Sequence, residues 1–189
     1  MSADPSDPRA ARTRATLRRA LLEECADRPL AQVSVAALTR RARVGRATFY
    51  LHYPDLEALA VDACADIVRE AVDALHAWRG TPDPASPPPA LLTFFADLTP
   101  HTPLYPELLG PGGTGPLGRI LHRDLRARSR TERTLAGAPQ PDLVASAVAA
   151  TFTGVLADWL HGGIDADTTD ITHHVWRLLV TLHRTPWPG

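Results

Sequence analysis

The segment from Leu143 to Leu160 restricts the fold more than any other part of the sequence, because it is apolar on nearly every side of a helix. Thirteen of its eighteen residues are Ala, Val, Leu, Phe or Trp. Such a helix must be buried on more than one side, in a protein core or in a membrane. A membrane span is disfavoured because Asp142, Asp158 and His161 bracket the apolar run, much of it is weakly apolar Ala, and it barely reaches spanning length. We therefore predict a protein without membrane contact, whose helix packs on its own chain and on a second copy.

The other apolar residues also recur with the spacing of helices. Leu59, Ala63 and Ile67, for example, repeat every four residues, which places them on one helix face. No β alternation of useful length is present, and the five prolines of residues 80–89 end any helix there. The predicted fold class is therefore all-α. The expected segments are a disordered leader over residues 1–8, an N-terminal domain of three helices over 9–54, a connecting helix over 55–79, a Pro-rich loop over 80–89 and a second helical domain over 90–189.

Charge is distributed unevenly between the two ends of the chain. Residues 1–50 contain ten arginines against five acidic residues, whereas residues 51–189 contain ten arginines against sixteen acidic residues. A net positive N-terminal domain attracts a polyanion such as nucleic acid. Arginines near the N-terminus interrupt every apolar stretch that could serve as a secretory signal. We therefore expect a cytoplasmic protein in which Cys25 and Cys64 are reduced.

A motif of helix, turn and helix occupies residues 34–63, which read SVAALTRRARVGRATFYLHYPDLEALAVDA. Ser34 is expected to cap the first short helix. Arg46 to Tyr50 form the second short helix, and His-Tyr-Pro follows at positions 52–54. Over residues 14–63 this arrangement resembles the TetR family of transcriptional regulators. In a helix-turn-helix the second helix reads the major groove of DNA.

The resemblance implies a homodimer that binds a double-stranded DNA operator, and we expect a repressor that a small-molecule effector releases. The alternative, which the resemblance also allows, is a coactivator that keeps the fold and acts through a protein partner. The architecture predicted is an N-terminal three-helix helix-turn-helix domain joined by a long helix to a C-terminal helical effector and dimerisation domain.

Two positions depart from the family pattern. Leu56 stands where the family often has a lysine that contacts the operator backbone, so that contact is absent. Arg43 stands in the turn where the family usually has glycine. Either the backbone at Arg43 avoids positive φ, or this residue accepts strain in order to face a phosphate.

The predicted DNA contacts follow from the two faces of the second short helix. Phe49 and Tyr53 are expected in the core, which leaves polar side chains facing outward. Arg46 can fork onto a guanine edge, and the Tyr50 hydroxyl suits a phosphate oxygen. The amides that open the second and fourth helices can also hold phosphates, and arginines such as Arg18 add attraction that does not depend on DNA sequence. The residues predicted to contact DNA are Ser34, Arg43, Gly45, Arg46, Ala47, Thr48, Tyr50 and His52.

Aromatic and apolar residues of the second domain predict a ligand cavity between the helix after the Pro-rich loop and the helix at 143–160. Few acidic residues occur among them, which favours a mostly apolar small molecule held by one or two polar groups, such as His101 or His122. The alternative is that these aromatics only fill the core, because a stripe at helical spacing is the same in both cases. The predicted pocket residues are Phe94, Phe95, Leu98, His101, Tyr105, Leu121, His122, Phe152, Leu156 and Trp159.

The dimer interface is predicted on the segment 143–160 and on the last helix, near residues 168–183, which carries a matching apolar stripe. The resemblance implies a four-helix interface to which each subunit contributes two helices. The predicted interface residues are Val144, Val148, Val155, Val175, Leu178 and Leu182.

Sequence patterns of enzyme active sites are missing. The chain lacks HExxH, paired CxxC, GxSxG, GxGxxG and P-loop signatures. His173 and His174 are adjacent and diverge by about 100° on a helix, so they cannot chelate one metal ion by themselves. We therefore predict no enzymatic activity, no catalytic residue, no bound metal and no cofactor.

Overall fold

The structure is a computed structural model that describes residues 8–26, 28–78 and 80–184. These residues form helices joined by turns and short 3-10 segments, and they contain no strand, which confirms the all-α class. Residues 1–7 of the predicted leader lie outside the described residues, and Pro8 already begins the first helix. The α-helices are α1 (Pro8–Glu24), α2 (Val35–Ala42), α3 (Arg46–His52), α4 (Leu56–Ala77), α5 (Pro89–Leu98), α6 (Tyr105–Leu109), α7 (Pro116–Leu135), α8 (Pro141–Leu160) and α9 (Thr168–Arg184).

The first three helices pack around a small core against the start of α4. Leu17, Leu38, Phe49 and Leu59 come from α1, α2, α3 and α4 in turn, and all four are fully buried. Ser34 caps α2 as predicted, because its Oγ accepts a hydrogen bond of 3.1 Å from the Ala37 amide. A cap of this kind stabilises a helix by about 1 kcal/mol.

A polar network joins the end of α3 to α1 and α4. The Tyr53 hydroxyl donates a hydrogen bond of 2.5 Å to Asp62 Oδ2. Burial is the main cause that raises the pKa of Tyr53, and this hydrogen bond raises it further. Arg18 of α1 pairs with Asp66 and lies 3.6 Å from the same Asp62 oxygen. The expectation that Arg18 serves DNA attraction is therefore corrected, because its guanidinium is held by two carboxylates of α4.

The second domain is built around α7 and α8, which pack along each other, with α9 and α5 beside them. Phe95, Leu98, Tyr105 and Leu121 form much of its buried centre. Among the described residues one helix, α8, is long and apolar enough to span a bilayer by length and composition, and 50% of its most apolar window is buried by the rest of the chain.

The Pro-rich segment that joins α4 to α5 is held against α9. The Trp176 indole N–H donates a hydrogen bond of 2.6 Å to the Asp83 carbonyl, and Arg184 donates to the Pro82 carbonyl. The rings of Trp78 and Trp176 meet edge to face with their centroids 5.8 Å apart. These contacts tie the end of α4 to α9 across the segment.

Candidate nucleic-acid interface and ligand cavity

The short helix α3 presents one buried and one exposed face. Phe49 is fully buried on the inner side, whereas Arg46, Ala47 and Tyr50 are exposed. The Arg46 guanidinium lies 5.8 Å from the centre of the Tyr50 ring, a distance at which the ring face attracts the cation. This contact holds a forked cation on the outer face of the helix, where it suits a guanine edge or a phosphate.

The eight residues predicted to contact DNA lie in two short helices and the turn that joins them. They lie at the start of α2, in the turn after it and along α3. Thr48 and His52 are half-buried, and the other six are exposed. Leu51 is not among the predicted contacts, yet it is 68% exposed and lies four residues after Ala47 on the same face of α3. In the sequence, only the four-residue spacing from Ala47 could have indicated that Leu51 faces outward.

Arg43 occupies the turn between α2 and α3 in a left-handed conformation, with φ 53° and ψ 38°. Its amide donates a hydrogen bond of 3.2 Å to the Arg40 carbonyl, which ends α2. Of the two alternatives open from the sequence, the structure adopts the strained one. A left-handed residue with a Cβ costs roughly 1–2 kcal/mol relative to a right-handed one.

Replacing Arg43 with glycine should therefore stabilise the protein. Relief of the left-handed strain exceeds the added flexibility of the unfolded chain, so the free energy of unfolding should rise by about 0.5–1 kcal/mol. Urea denaturation measures the change. The matched control is Arg40→Gly, inside α2, which should lower the same free energy by about 1 kcal/mol. Equal losses in both variants would contradict the assignment of strain to position 43.

The N-termini of α2 and α4 differ in charge, and this difference decides which of them can receive a phosphate. At α4 the Asp55 carboxylate accepts a hydrogen bond of 2.7 Å from the Ala58 amide, and Glu57 lies in the first turn. The two carboxylates reduce the positive potential at this end of α4, which makes it a less favourable phosphate site than the start of α2. The first turn of α2 has no acidic residue and is capped by the neutral Ser34, so its positive dipole end remains available.

A cavity of about 430 Å³ lies in the second domain, with walls from α4, α5, α7, α8 and α9. Its interior is apolar and its charged residues, Glu132 and Arg184, are exposed. Gly80 and Pro82 of the Pro-rich segment cover one side. The volume falls within the range of about 300–1,000 Å³ that small-molecule sites occupy. Apolar wall residues include Val68, Val72, Leu91, Phe94, Phe152 and Leu179.

Three of the ten predicted pocket residues, Phe94, Leu121 and Phe152, line this cavity. The others do not, because they belong to the packed core or to its outer edge. The Phe95 ring, for example, packs against the Trp159 ring at 5.5 Å. The walls from α4 and α9, and Ser129 of α7, are not among the predicted pocket residues. The seven predicted residues that do not line this cavity are Phe95, Leu98, His101, Tyr105, His122, Leu156 and Trp159.

The outer surface of α8 and α9 differs from the predicted dimer interface. Val144, Val148 and Val175 are buried within the single chain, so their side chains are not exposed to a second copy as the predicted interface requires. Leu178 is 45% exposed, and Val155 and Leu182 are half-buried against the core. The outward face of α8 consists instead of residues spaced by three and four positions: Leu143, Ala147, Ala150 and Gly154.

Neither cysteine is suited to nucleophilic or metal chemistry. Cys25 and Cys64 are free and buried. Burial raises the pKa of the Cys64 thiol to about 12, and burial together with the charge of Glu107 raises the pKa of Cys25 to about 11. Both thiols are therefore protonated at neutral pH. Within residues 8–26, 28–78 and 80–184, no three His, Cys, Asp or Glu side chains cluster as metal ligands would.

Comparison with known proteins gives one family and several similar folds. Residues 17–63 match the family model described as "Bacterial regulatory proteins, tetR family". A transcriptional regulator from Rhodococcus sp. Rha1 has a similar fold, with a TM-score of 0.60 and 18% identity over 90% of this chain and 95% of that chain. RolR without ligand gives a TM-score of 0.58 and 19% identity over 93% and 98% of the two chains.

RolR has also been solved in complex with the ligand resorcinol, and this structure covers 96% of the present chain and 97% of its own with a TM-score of 0.55 and 19% identity. At these identities the solved structures show likeness of fold alone. No curated protein matches the chain. The matched segment runs from Leu17 of α1 through α2, the turn and α3 to Ala63 of α4. The N-terminal helix-turn-helix segment, residues 17–63, is therefore that of the TetR family of bacterial regulatory proteins.

Proposed function

We propose that the protein is a cytoplasmic, homodimeric repressor that binds an operator through α3 and is released by a small, mostly apolar effector. The observation that carries this proposal is the double role of α4. Its N-terminal half holds the end of the recognition helix through Asp62 and Tyr53, and its C-terminal half forms a wall of the cavity through Val68, Val72 and Leu75. A ligand that moves α4 would therefore move α3.

On DNA, α3 would enter the major groove with its exposed face toward the bases. Arg46 would fork onto a guanine, and Tyr50 would donate to a phosphate. Ala47 and Leu51 present apolar groups of the kind that contact thymine methyl groups. The Ser34 end of α2 would hold a second phosphate.

In the dimer, the outward face of α8 would pack against the same face of a second copy, with Leu178 of α9 beside it. Exposed leucines at 143 and 178 and small residues between them suit a close helix contact across a two-fold axis. The two recognition helices would then reach successive major grooves about 34–36 Å apart. A ligand that binds only when the two recognition helices are at a different distance would favour that conformation of the dimer. Dimers in that conformation would dissociate from the operator.

The proposal is tested by selecting duplexes from a randomised DNA library on the full-length protein, followed by gel shifts over about 50–200 mM salt. We expect a two-fold symmetric site that is bound at least about 1,000-fold more tightly than random duplex. The affinity should fall steeply with salt, since several arginines displace counterions. Selection of no sequence over random duplex at any salt concentration would exclude an operator-binding function.

A compound that occupies the cavity should raise the melting temperature and lower operator affinity. At 100 times its dissociation constant it would stabilise the folded protein by about 2.7 kcal/mol. Linkage requires that bound operator lower the affinity of the protein for the compound by the same factor by which bound compound lowers its affinity for the operator. Resorcinol, the ligand of RolR, is a reasonable first compound for a thermal shift screen of small neutral molecules.

The control for this prediction is Leu125→Phe, on the α7 wall of the cavity, which fills part of the cavity without changing α4 and should abolish the thermal shift while leaving operator binding intact. A compound that raises the melting temperature of the native protein but leaves operator affinity unchanged would contradict the effector role.

A further inference from the structure

Two indole rings line the cavity, and their N–H groups differ in what they bind. The Trp176 N–H donates to the Asp83 carbonyl at 2.6 Å. Trp78, which follows the last turn of α4, is half-buried, and its Nε1 has no hydrogen-bond partner among the described residues. This nitrogen keeps accessible surface, whereas the Ser129 Oγ is fully enclosed. Because an indole N–H can only donate, Trp78 offers the cavity one accessible donor.

Gly80 shows where the Nε1 edge of this ring lies. A Cβ added at Gly80 would lie 2.2 Å from Cζ2 and 2.8 Å from Nε1 of Trp78. Gly80 also lines the cavity, so the Nε1 edge of the indole lies beside the wall that the Pro-rich segment forms. A larger residue at position 80 would push the indole out of this place.

Arg184 adds further donors along the same wall. Its guanidinium donates to the Pro82 carbonyl, two residues after Gly80, and it pairs with no carboxylate among the described residues. The Asp83 carboxylate accepts a hydrogen bond of 2.9 Å from the Ala85 amide. A guanidinium, like an indole N–H, can only donate. A ligand group at this wall must therefore accept hydrogen bonds.

The remaining polar groups near the cavity do not change this requirement. Glu132 is exposed and has an interaction of its own, and the Nδ1 of His183 lies 2.7 Å from a backbone carbonyl oxygen. Arg133, one turn after Ser129 on α7, is 8% exposed, and its Nε is enclosed without a partner among the described residues. Arg133 does not line the cavity, but its buried charge disfavours a cation there.

We propose that the Trp78 indole N–H is the polar anchor of this cavity, and that the ligand is an apolar molecule with an acceptor oxygen, a carbonyl or a carboxylate, at the end that faces the Pro-rich segment. The proposal rests on the effector function proposed above, because it specifies the chemistry of the same cavity. It differs from the sequence-based expectation, which placed the polar anchors at His101 or His122.

The test titrates four probes of nearly one shape into the full-length protein by calorimetry: 1-ethyl-4-isopropylbenzene, 4-ethylacetophenone, 4-ethylbenzoate and 4-ethylbenzamidine. The ketone should bind roughly five-fold more tightly than the hydrocarbon, as one hydrogen bond permits. The benzamidine should bind most weakly, because its cationic head only donates. An advantage that is larger for the benzoate, or confined to it, would support the anchor and add Arg184 as a second donor.

Two variants test the role of the indole. Trp78→Phe keeps an aromatic ring and removes the N–H, so it should remove the preference for an acceptor oxygen over the hydrocarbon. Gly80→Ala is expected to fold, because Gly80 is exposed, and it should lower the same preference by displacing the ring. The matched control is Trp159→Phe, outside the cavity lining, whose N–H donates to the Ala166 carbonyl at 2.9 Å. It should keep the preference.

The proposal would be overturned if neither acceptor oxygen bound more tightly than the hydrocarbon in the native protein. Tightest binding of the benzamidine, or binding of none of the four probes, would also overturn it. So would a preference for an acceptor oxygen that survives in Trp78→Phe.

Operator gel shifts with the same probes separate this proposal from the effector function. Probes that bind with the Trp78-dependent preference but leave operator affinity unchanged would support the anchor and contradict the effector role. A compound that releases the operator equally well from the native protein and from Trp78→Phe would do the reverse.

Discussion

Replacing Gly154 with arginine should give folded monomers that bind the operator at least about 100-fold more weakly than the native protein. Gly154 lies on the outward face of α8, and a Cβ added there meets nothing within 4 Å. Within one protomer the change should be tolerated, and it should favour the helix by about 1 kcal/mol because arginine is a better helix former than glycine. Across a two-fold interface the same side chain would place two cations against each other.

Sedimentation velocity and gel shifts measure the two effects. Gly154→Ala is the matched control, since it adds the same Cβ without the charge and should leave both the dimer and operator binding largely intact. A substitution at Gly154 tests the interface more directly than one at the neighbouring Val155, because Val155 packs against the core of its own chain. A Gly154→Arg protein that sediments as a dimer would remove this face of α8 from the interface.

Replacing Arg46 with alanine should weaken operator binding by about 1–3 kcal/mol, or roughly 5- to 150-fold, if the guanidinium reads a guanine. Its effect should fall on one base pair of each half-site, where repeated selection with the variant would show a relaxed preference. Tyr50→Phe should act differently. It keeps the ring that faces Arg46 and loses only the hydroxyl, so binding should weaken to a similar extent on all sequences.

The matched control is Arg177→Ala, which removes one exposed arginine from α9, outside the proposed DNA-contacting side. Its operator affinity should stay within about two-fold of the native value, because screening at physiological salt limits the reach of a distant charge to about 8 Å. Native affinity in both Arg46→Ala and Tyr50→Phe would place DNA recognition on another surface.

The N-terminal domain was the part of the protein most open to prediction from sequence. Ser34 caps α2 and Phe49 lies in the core, because both features depend on residues within one or two helical turns. The sequence does not decide the backbone conformation at Arg43, since arginine can adopt either one. Leu51 was overlooked because its exposure depends on where Phe49 and Tyr53 anchor the helix.

In the second domain the sequence does not determine which face of each helix points toward the core. A helix with one apolar stripe has a defined inner face, whereas α8 is apolar nearly all round, so its composition does not say which valines face a partner. Val144 and Val148 were assigned outward for this reason, and packing against the rest of the protomer places them inside. The same ambiguity covers the cavity, because Phe94 and Phe95 are adjacent aromatic residues of one helix and only Phe94 lines it.

The sequence by itself determined the all-α class, the helix-turn-helix with its Ser34 cap, and the concentration of arginine at one end. These are encoded locally, in residues within a few positions of each other, so neighbouring side chains suffice to specify them. Only the tertiary structure decided the cavity, the free indole N–H of Trp78 and the outward face of α8. Each of these depends on which surfaces of several helices meet, and an apolar residue at helical spacing is equally stable against a core, a cavity wall or a second subunit.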